Sequence, residues 1–321
     1  MLWAITAYFN PAGYRRRLEN YRTFRARLKV PLITVEASVD GQFELQTGDA
    51  DILVQRRAPD VLWQKERLLN VALGLLPREC REVAWLDCDV VFERDDWAER
   101  AREQLETHSL VQLFSQRCNL HRQATADPSK WDSRMDFFAE SVASKIVAGR
   151  AAPEDLSDPE AGIVRKTTMG LAWAAGRDSL DDHGLYDACI LGTGDRVVLC
   201  AAMGKFDYGE AAAAMTARQA EHYRRWAVGF FAAMNGRVGY VDGRVFHLWH
   251  GDLRDRRYSA RHQGMKRFGF DPFTDIVVDG EGCWRWSSPK TDMHAYVKSY
   301  FDSRDEDGRR PAAAAERAPA S

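Results

Sequence analysis

An α/β fold, with an open and mostly parallel sheet covered by helices on both faces, is what this chain predicts, and three observations carry that prediction. Strand-like and helix-like segments take turns from the N-terminus onward, the order that builds parallel sheets through helical crossovers. The run VAWLDCDVVF, residues 83–92, has the β-branched and aromatic content of a strand buried on both faces, yet Asp87 and Asp89 interrupt it. A length of 321 residues with 45% hydrophobic content suffices for one large domain, or two small ones, around a sizeable core.

From the N-terminus, LWAITAYF reads as a strand, GYRRRLENYRTFRARLK as an amphipathic helix, and PLITVEAS and ADILVQRR as two further strands. After the breaker APD, VLWQKERLLNVALGLLP has apolar residues at helical spacing and stops at Pro77. The strand with the two aspartates follows, then the helix WAERAREQLETH and the strand LVQLF. Residues 121–165 mix polar and charged residues with PEDLSDPEAG, which predicts a loop-rich segment with one helix around RMDFFAESVASKIV. A compact pattern then resumes: the small-residue strand GLAWAAG, a short helix, the Gly-rich turn ILGTGD and another helix. AAAAMTARQAEHYRRWAVGFFAAMN is a long helix, and RVGYVDGRVFHLWHG a pair of strands, or a strand and its extension, ending in His247 and His250. Residues 303–321 are low in complexity and predict a disordered tail.

Charge and cysteine usage exclude several settings. Lys+Arg 45 against Asp+Glu 47 leaves a net charge of -2, so the whole molecule carries no bias toward a polyanionic partner, although local basic clusters can bind one. Six cysteines without a C-x-x-C pair argue against a disulfide framework and a thiolate zinc site. The longest apolar stretches fall short of the roughly 20 residues that span a bilayer, and MLWAITAYFNP has no basic leader before its apolar part. A soluble cytoplasmic protein is expected.

Two carboxylates separated only by Cys88 repel. In the low dielectric at a strand end each tends to keep its proton unless a cation or hydrogen-bond donors compensate. In open α/β sheets ligands bind outside the carboxyl ends of the strands, where Asp87 and Asp89 lie. Plainer readings stand beside this one. The aspartates can cap the next turn, either histidine can be a packed core residue, and the QKER stretch around Lys65 can be a solvated helix face.

Asn10-Pro11 after the first strand, then LWQKERLLNVALGLLPRECREVAWLDCDVVFERDDW, GLAWAAGRDSL, GTGD and HLWHG, in that order, resemble a nucleotide-sugar glycosyltransferase of the GT-A fold, nearest the bacterial and phage family 2-like enzymes. The resemblance implies a Rossmann-like sheet with a C-terminal acceptor-side extension, as a single domain over residues 1–300. Its nucleotide-binding half covers about 1–118 and its acceptor half about 160–300. The implied reaction is a metal-dependent, inverting transfer of a hexose from a nucleotide sugar, UDP-linked by analogy, to a hydroxyl of a glycan, a lipid-linked glycan or another acceptor. A diphosphate leaving group gathers negative charge that a divalent cation, Mn²⁺ or Mg²⁺, neutralises, and such cations favour carboxylate oxygens.

Residue by residue, the resemblance makes Asp89 a metal ligand and sets Asp87 against the ribose or, through water, the metal. His247 or His250 supplies a further ligand, with the other available to phosphate. Asn10 and Pro11 lie against the nucleobase, Lys65 meets phosphate or base, and Asn70 meets the base or its strand. Asp195 is the expected general base, although Gly194 stands where the family more often has Glu, and an N-cap is its plainer role. Among Arg254, Arg256, Arg257 and Arg261, Arg257 is a candidate for the diphosphate, and unmodified nucleic acid is not an expected partner. Two alternatives are a nucleotidyltransferase, for which TAYFNPAGYRRR is a poor phosphate loop, and a catalytically inactive binding module on the same fold.

Overall fold

Strands β1 (Leu2–Phe9) and β2 (Leu32–Ser38) run parallel with Ala4 opposite Leu32, and every residue of β2 is buried, as a strand covered on both faces requires. The computed structural model describes residues 1–124, 131, 135–156, 167–256 and 258–309. Strand β3 (Ile52–Arg57) extends the sheet beyond β2, and β4 (Glu82–Leu86) pairs with the other side of β1, both in parallel. Past β4 the chain leaves this sheet through Asp87, Cys88 and Asp89 and forms β5 (Val90–Phe92) in a second one.

The remaining strands divide between the two sheets. β6 (Leu110–Gln112) belongs to the larger sheet, while β7 (Gln116–Leu120), β8 (Met135–Ser141) and β9 (Thr167–Thr168) join the smaller. β10 (Ala172–Gly176) inserts antiparallel between β4 and β6, β11 (Val238–Tyr240) closes the far edge beside β6, and β12 (Arg244–His247) lies between β5 and β7. The larger sheet is thus ordered β11-β6-β10-β4-β1-β2-β3, the smaller β5-β12-β7-β8-β9. The expected mostly parallel α/β sheet is present, with β10 as its antiparallel member.

Helices cover both faces because each offers one apolar stripe. On one face, α1 (Arg15–Arg27) and, four strands later, the helix Trp97–Leu105 place Tyr21, Phe24, Trp97 and Ala101 against Leu32, Ala84 and Leu86. On the other face, α2 (Lys65–Leu73) buries Leu68, Leu69 and Ala72 against Ile5, Ile33 and Val35. Full burial of a leucine contributes about 1.5–3 kcal/mol, so α2 is held firmly and its first turn, Lys65 and Glu66, is fixed relative to the sheet. Gln64 adds a directional tie: its amide exchanges two 2.9 Å hydrogen bonds with the backbone of Trp284.

Two sequence expectations need correction. The helix expected around residues 134–147 is largely β8, followed by a short helix, Val142–Val147. Ser141 makes the switch: its hydroxyl accepts from the Ser144 amide at 3.1 Å, an N-cap that ends the strand and begins the helix. Of that loop-rich segment, 125–130, 132–134 and 157–166 lie outside the described residues. Of the tail expected to be disordered from 303, residues 303–309 are ordered. Ser303 closes the helix Thr291–Ser303, and Arg304 and Glu306 beyond it are buried, whereas 310–321 lie outside the described residues. All six cysteines are buried, and no helix among the described residues is long and apolar enough to cross a membrane.

The end of β4 is tied to the sheet centre by one buried side chain. Thr6 on β1 donates its hydroxyl to the Leu86 carbonyl at 2.7 Å, directly before Asp87. Thr6→Val preserves shape and removes the donor, so it should lower stability by about 1 kcal/mol. Denaturant unfolding with an unchanged m-value checks this, and an unaltered midpoint would show that the bond contributes nothing.

A candidate metal centre at the end of β4

The two aspartates that interrupt the buried strand face different partners. β12 pairs antiparallel with β5, with Val90 opposite His247, and the Leu248 amide donates to the Asp89 carbonyl at 2.9 Å. This register carries the histidine strand to the aspartate turn. His247 Nε2 lies 3.6 Å from Asp89 Oδ1 and His250 Nδ1 lies 3.0 Å from Asp89 Oδ2. One ligand atom from each of the three residues falls within a 4.8 Å span, and the imidazoles meet edge to face at 4.6 Å.

The chemistry of this group fits a divalent cation. His247 Nδ1 donates to Asn119 Oδ1 at 3.1 Å, because an amide oxygen can only accept, and this tautomer turns the Nε2 lone pair toward Asp89. Asp89 Oδ1, which it faces, is buried and has no hydrogen-bond partner. Two lone-pair donors face one another across 3.6 Å, an arrangement that a cation between them would relieve. Burial holds both imidazoles well below their ordinary range, with Arg117 and Arg256 adding to it for His247, and Arg256 for His250, so both are neutral ligands. The Asp89 carboxyl is pushed up to about 7, first by burial and then by Asp87, with Arg17 and Arg256 pulling the other way.

The loop that carries His250 is tied on both sides. Asn20 of α1 donates to the Trp249 carbonyl at 3.1 Å, and Arg256 donates to the His250 carbonyl. Arg16 and Arg122 lie over the Trp249 ring, 5.6 and 5.2 Å from its centroid.

Asp87, expected near the metal, stands outside the three-residue group and turns to Lys65, whose Nζ lies 2.6 Å from its Oδ1. The same ammonium meets both oxygens of Asp195, at 3.2 and 2.9 Å. Burial acts to lower the Lys65 pKa, yet Asp195 and Asp87 outweigh it and keep the amine charged well above its ordinary range. Burial raises the Asp195 carboxyl, with Lys65 opposing. Lys65 is therefore the countercharge for two carboxylates brought together from β4 and from the helix Gly194–Ala202.

Space for this cluster comes from two glycines. A Cβ at Gly170 would sit 2.4 Å from Asp195 Oδ2, and one at Gly194 would sit 2.1 Å from Glu66 Oε1. Gly194, where a glutamate was the commoner expectation, thus leaves room for a carboxylate delivered by α2. Glu66 is a residue that the sequence reading missed. It is buried, accepts from the Trp63 indole at 3.0 Å, and its carboxyl is pushed up to about 8, chiefly by burial. Its signal was weak, an indole three residues before a carboxylate at a helix start. The adjoining turn is strained: Thr193 takes φ +79°, rare for a β-branched residue, and its hydroxyl is tied to His262 Nε2 at 2.6 Å.

The other expected site residues are spent on structure or lie elsewhere. Asn70 uses its amide on Leu185, donating to the carbonyl and accepting from the amide, both at 2.8 Å, and reaches Asp187 at 3.1 Å. It therefore stitches α2 to the 185–187 segment and does not meet the cluster. Asn10 caps its own turn, accepting from the Tyr14 amide at 2.9 Å and donating to Glu44 at 2.8 Å, with Pro11 in the turn. Arg257 lies outside the described residues, as does the Arg254 side chain. Arg256 and Arg261, of the same basic cluster, are both buried, the latter over the Tyr300 ring at 4.6 Å.

Metal binding should follow Asp89. Between pH 8 and pH 6 its carboxylate takes up a proton while the histidines remain neutral, so Mn²⁺ affinity measured by calorimetry should fall about tenfold. Equal affinity at both values would remove Asp89 from the ligand set. Asn119→Ala frees the His247 ring and should weaken Mn²⁺ by about 10- to 100-fold; no change would show that Asn119 does not orient the ligand.

No family model matches the chain, and no curated protein does. Among solved structures it is similar to glucosyl-3-phosphoglycerate synthase from Mycobacterium tuberculosis in complex with Mn²⁺, UDP and phosphoglyceric acid, at 12% identity over 91% of each chain with a TM-score of 0.38. It is similar to TarS from S. aureus, at 11% identity over 83% of this chain and 39% of that one with a TM-score of 0.35. A third similar structure is 4-diphosphocytidyl-2C-methyl-D-erythritol synthase from Anaerococcus prevotii, at 11% identity over 76% of this chain and 89% of that one with a TM-score of 0.30.

Proposed function

We propose that this protein is a metal-dependent glycosyltransferase that moves a hexose from a nucleotide sugar, UDP-linked, to an acceptor hydroxyl with inversion. The observation that carries the reading is the unpartnered Asp89 oxygen facing the lone pair of His247 at the carboxyl end of a central strand, with the Lys65-bridged pair of Asp87 and Asp195 beside it. Asp89, His247 and His250 would hold Mn²⁺ or Mg²⁺. When bound, such an ion supplies the positive charge that a departing diphosphate requires.

The chain's own groups account for the rest. Asn119 fixes the His247 ring, and the ties of Asn20 and Arg256 to the 249–250 backbone fix His250. In transfer, the acceptor oxygen forms a bond to the anomeric carbon as the bond from that carbon to the diphosphate oxygen breaks, and the hydroxyl proton passes to a base. Asp195 is the best-placed acceptor of that proton: burial raises its carboxyl, it remains partly exposed, and Lys65 fixes its orientation. Asp87, the other partner of the same ammonium, is available to a donor hydroxyl once a ligand enters. The acceptor is a glycan, a lipid-linked glycan or another hydroxyl compound. A net charge of -2 and the burial of Arg256 and Arg261 speak against unmodified duplex DNA.

Incubation with a panel of nucleotide sugars and Mn²⁺ should release nucleoside diphosphate, slowly by hydrolysis and faster with an acceptor, and chelator should abolish the release. Full release in excess chelator would overturn the metal-dependent reading. Asp195→Asn should retain nucleotide affinity and lower transfer by about 10²- to 10⁴-fold, the range for loss of a general base. Transfer near the native rate would reduce Asp195 to a partner of Lys65.

A further inference from the structure

Glu306 is the most completely buried acid of the chain's C-terminal segment, 0% exposed, and its partners come from distant elements. Arg17 of α1 grips it twice, Nη2 to Oε1 at 2.6 Å and Nε to Oε2 at 3.1 Å. Arg304 Nε lies 2.8 Å from Oε1 and Arg256 Nη1 lies 3.7 Å from it. Three guanidiniums thus surround one carboxylate, and all but Arg17 are themselves almost wholly buried. The match is incomplete. Arg304 Nε is buried and lacks the alignment of a hydrogen bond despite its short contact, so a donor is left over.

This cluster adjoins the metal-ligand group. Arg256 also donates to the His250 carbonyl, and a Cβ at Gly251 would lie 2.6 Å from the Arg304 carbonyl, so the C-terminal segment runs directly over the loop that carries His250. The segment is clasped from α1 as well. Tyr14 donates toward the Phe301 and Asp302 carbonyls, at 3.0 Å each, and accepts from the Asp305 amide at 3.1 Å, while the Arg16 amide donates to Asp307 at 2.9 Å. Asp305 takes a left-handed φ of +45° to bring Glu306 inward. These ties are a handful of polar contacts in place of an apolar face.

We infer that Arg17, Arg256 and Arg304 form an anion site for a phosphate group of a ligand, and that Glu306 holds the site in the free protein as an internal substitute. The planar fork of arginine accepts carboxylate and phosphate with the same paired geometry, so exchange preserves the hydrogen-bond pattern. A diphosphate also brings more negative charge than the single carboxylate of Glu306, which these guanidiniums now face together with Asp89 acting on Arg17 and Arg256. Identification of the ligand as a nucleoside diphosphate rests on the proposed function; the anion site itself does not.

Inorganic pyrophosphate, without metal, is the probe. By calorimetry Glu306→Gln, which keeps the shape and removes the competing charge, should bind pyrophosphate at least tenfold more tightly than the native protein, and adding Arg17→Met should cancel that gain. In the native protein saturating pyrophosphate should accelerate trypsin cleavage after the buried Arg304 several-fold, a readout that stands even if Glu306→Gln fails to fold. Equal or weaker binding by Glu306→Gln, or cleavage unaffected by pyrophosphate, would make the segment a fixed clasp and overturn the inference. If pyrophosphate acts as expected while no nucleotide sugar is turned over, the glycosyl-transfer reading fails and the anion site stands.

Discussion

Two carboxylates leave one buried strand with a single residue between them, and most of the site is arranged around compensating them separately. In a continuous strand residues two apart would share a face, but the chain turns at Cys88 and Asp89, so Asp87 and Asp89 need not share one countercharge. Asp87 receives an ammonium from the first turn of α2, which the leucine stripe of that helix fixes against the sheet. Asp89 receives two neutral imidazoles, from β12 and from the loop after it, and the field of Arg17 and Arg256, which leaves one oxygen unpaired. An uncompensated buried carboxylate costs several kcal/mol (about 2–7 even for an uncharged polar group), so this asymmetry is what marks the second position as a ligand site.

The division also explains why Lys65 and Asp195 stand together. A lysine held between two acids is a fixed charge, unable to titrate near neutrality and unable to wander. Its helix brings Glu66 to the same cluster, and the chain makes room by omitting side chains at Gly170 and Gly194. A substitution at either glycine would therefore act on an acid far away in sequence, through volume and not through backbone conformation.

Much of the fold was legible because periodicity survives where burial is one-sided or complete. β2 and α2 are examples, each with a pattern that no competing structure satisfies. The meeting of Asp89 with His247 and His250 was legible as types and order of residues, since hard-cation chemistry restricts both. Other features were hidden. The stretch from Met135 to Val147 contains small and apolar residues suited to helix, and only the pairing of β8 with β7 makes its first half a strand. Asn70 and Lys65 look equally suited to a ligand, yet Asn70 is consumed by the backbone of Leu185, a partner more than a hundred positions away. Glu306 sits in a charged, low-complexity context that predicts solvation, and its burial depends on arginines from α1 and from beyond β12 that no local reading could supply.

The register that sets Val90 opposite His247 has a kinetic consequence. Its two strands are separated by nearly half of the chain, so they meet only after the intervening elements have collapsed. The ligand group is therefore among the last features to form and among the first to disperse when β12 detaches. A bound cation would act as a lock on the completed topology: with little affinity for the separated strands, it would slow the opening of the molecule far more than it hastened its closing.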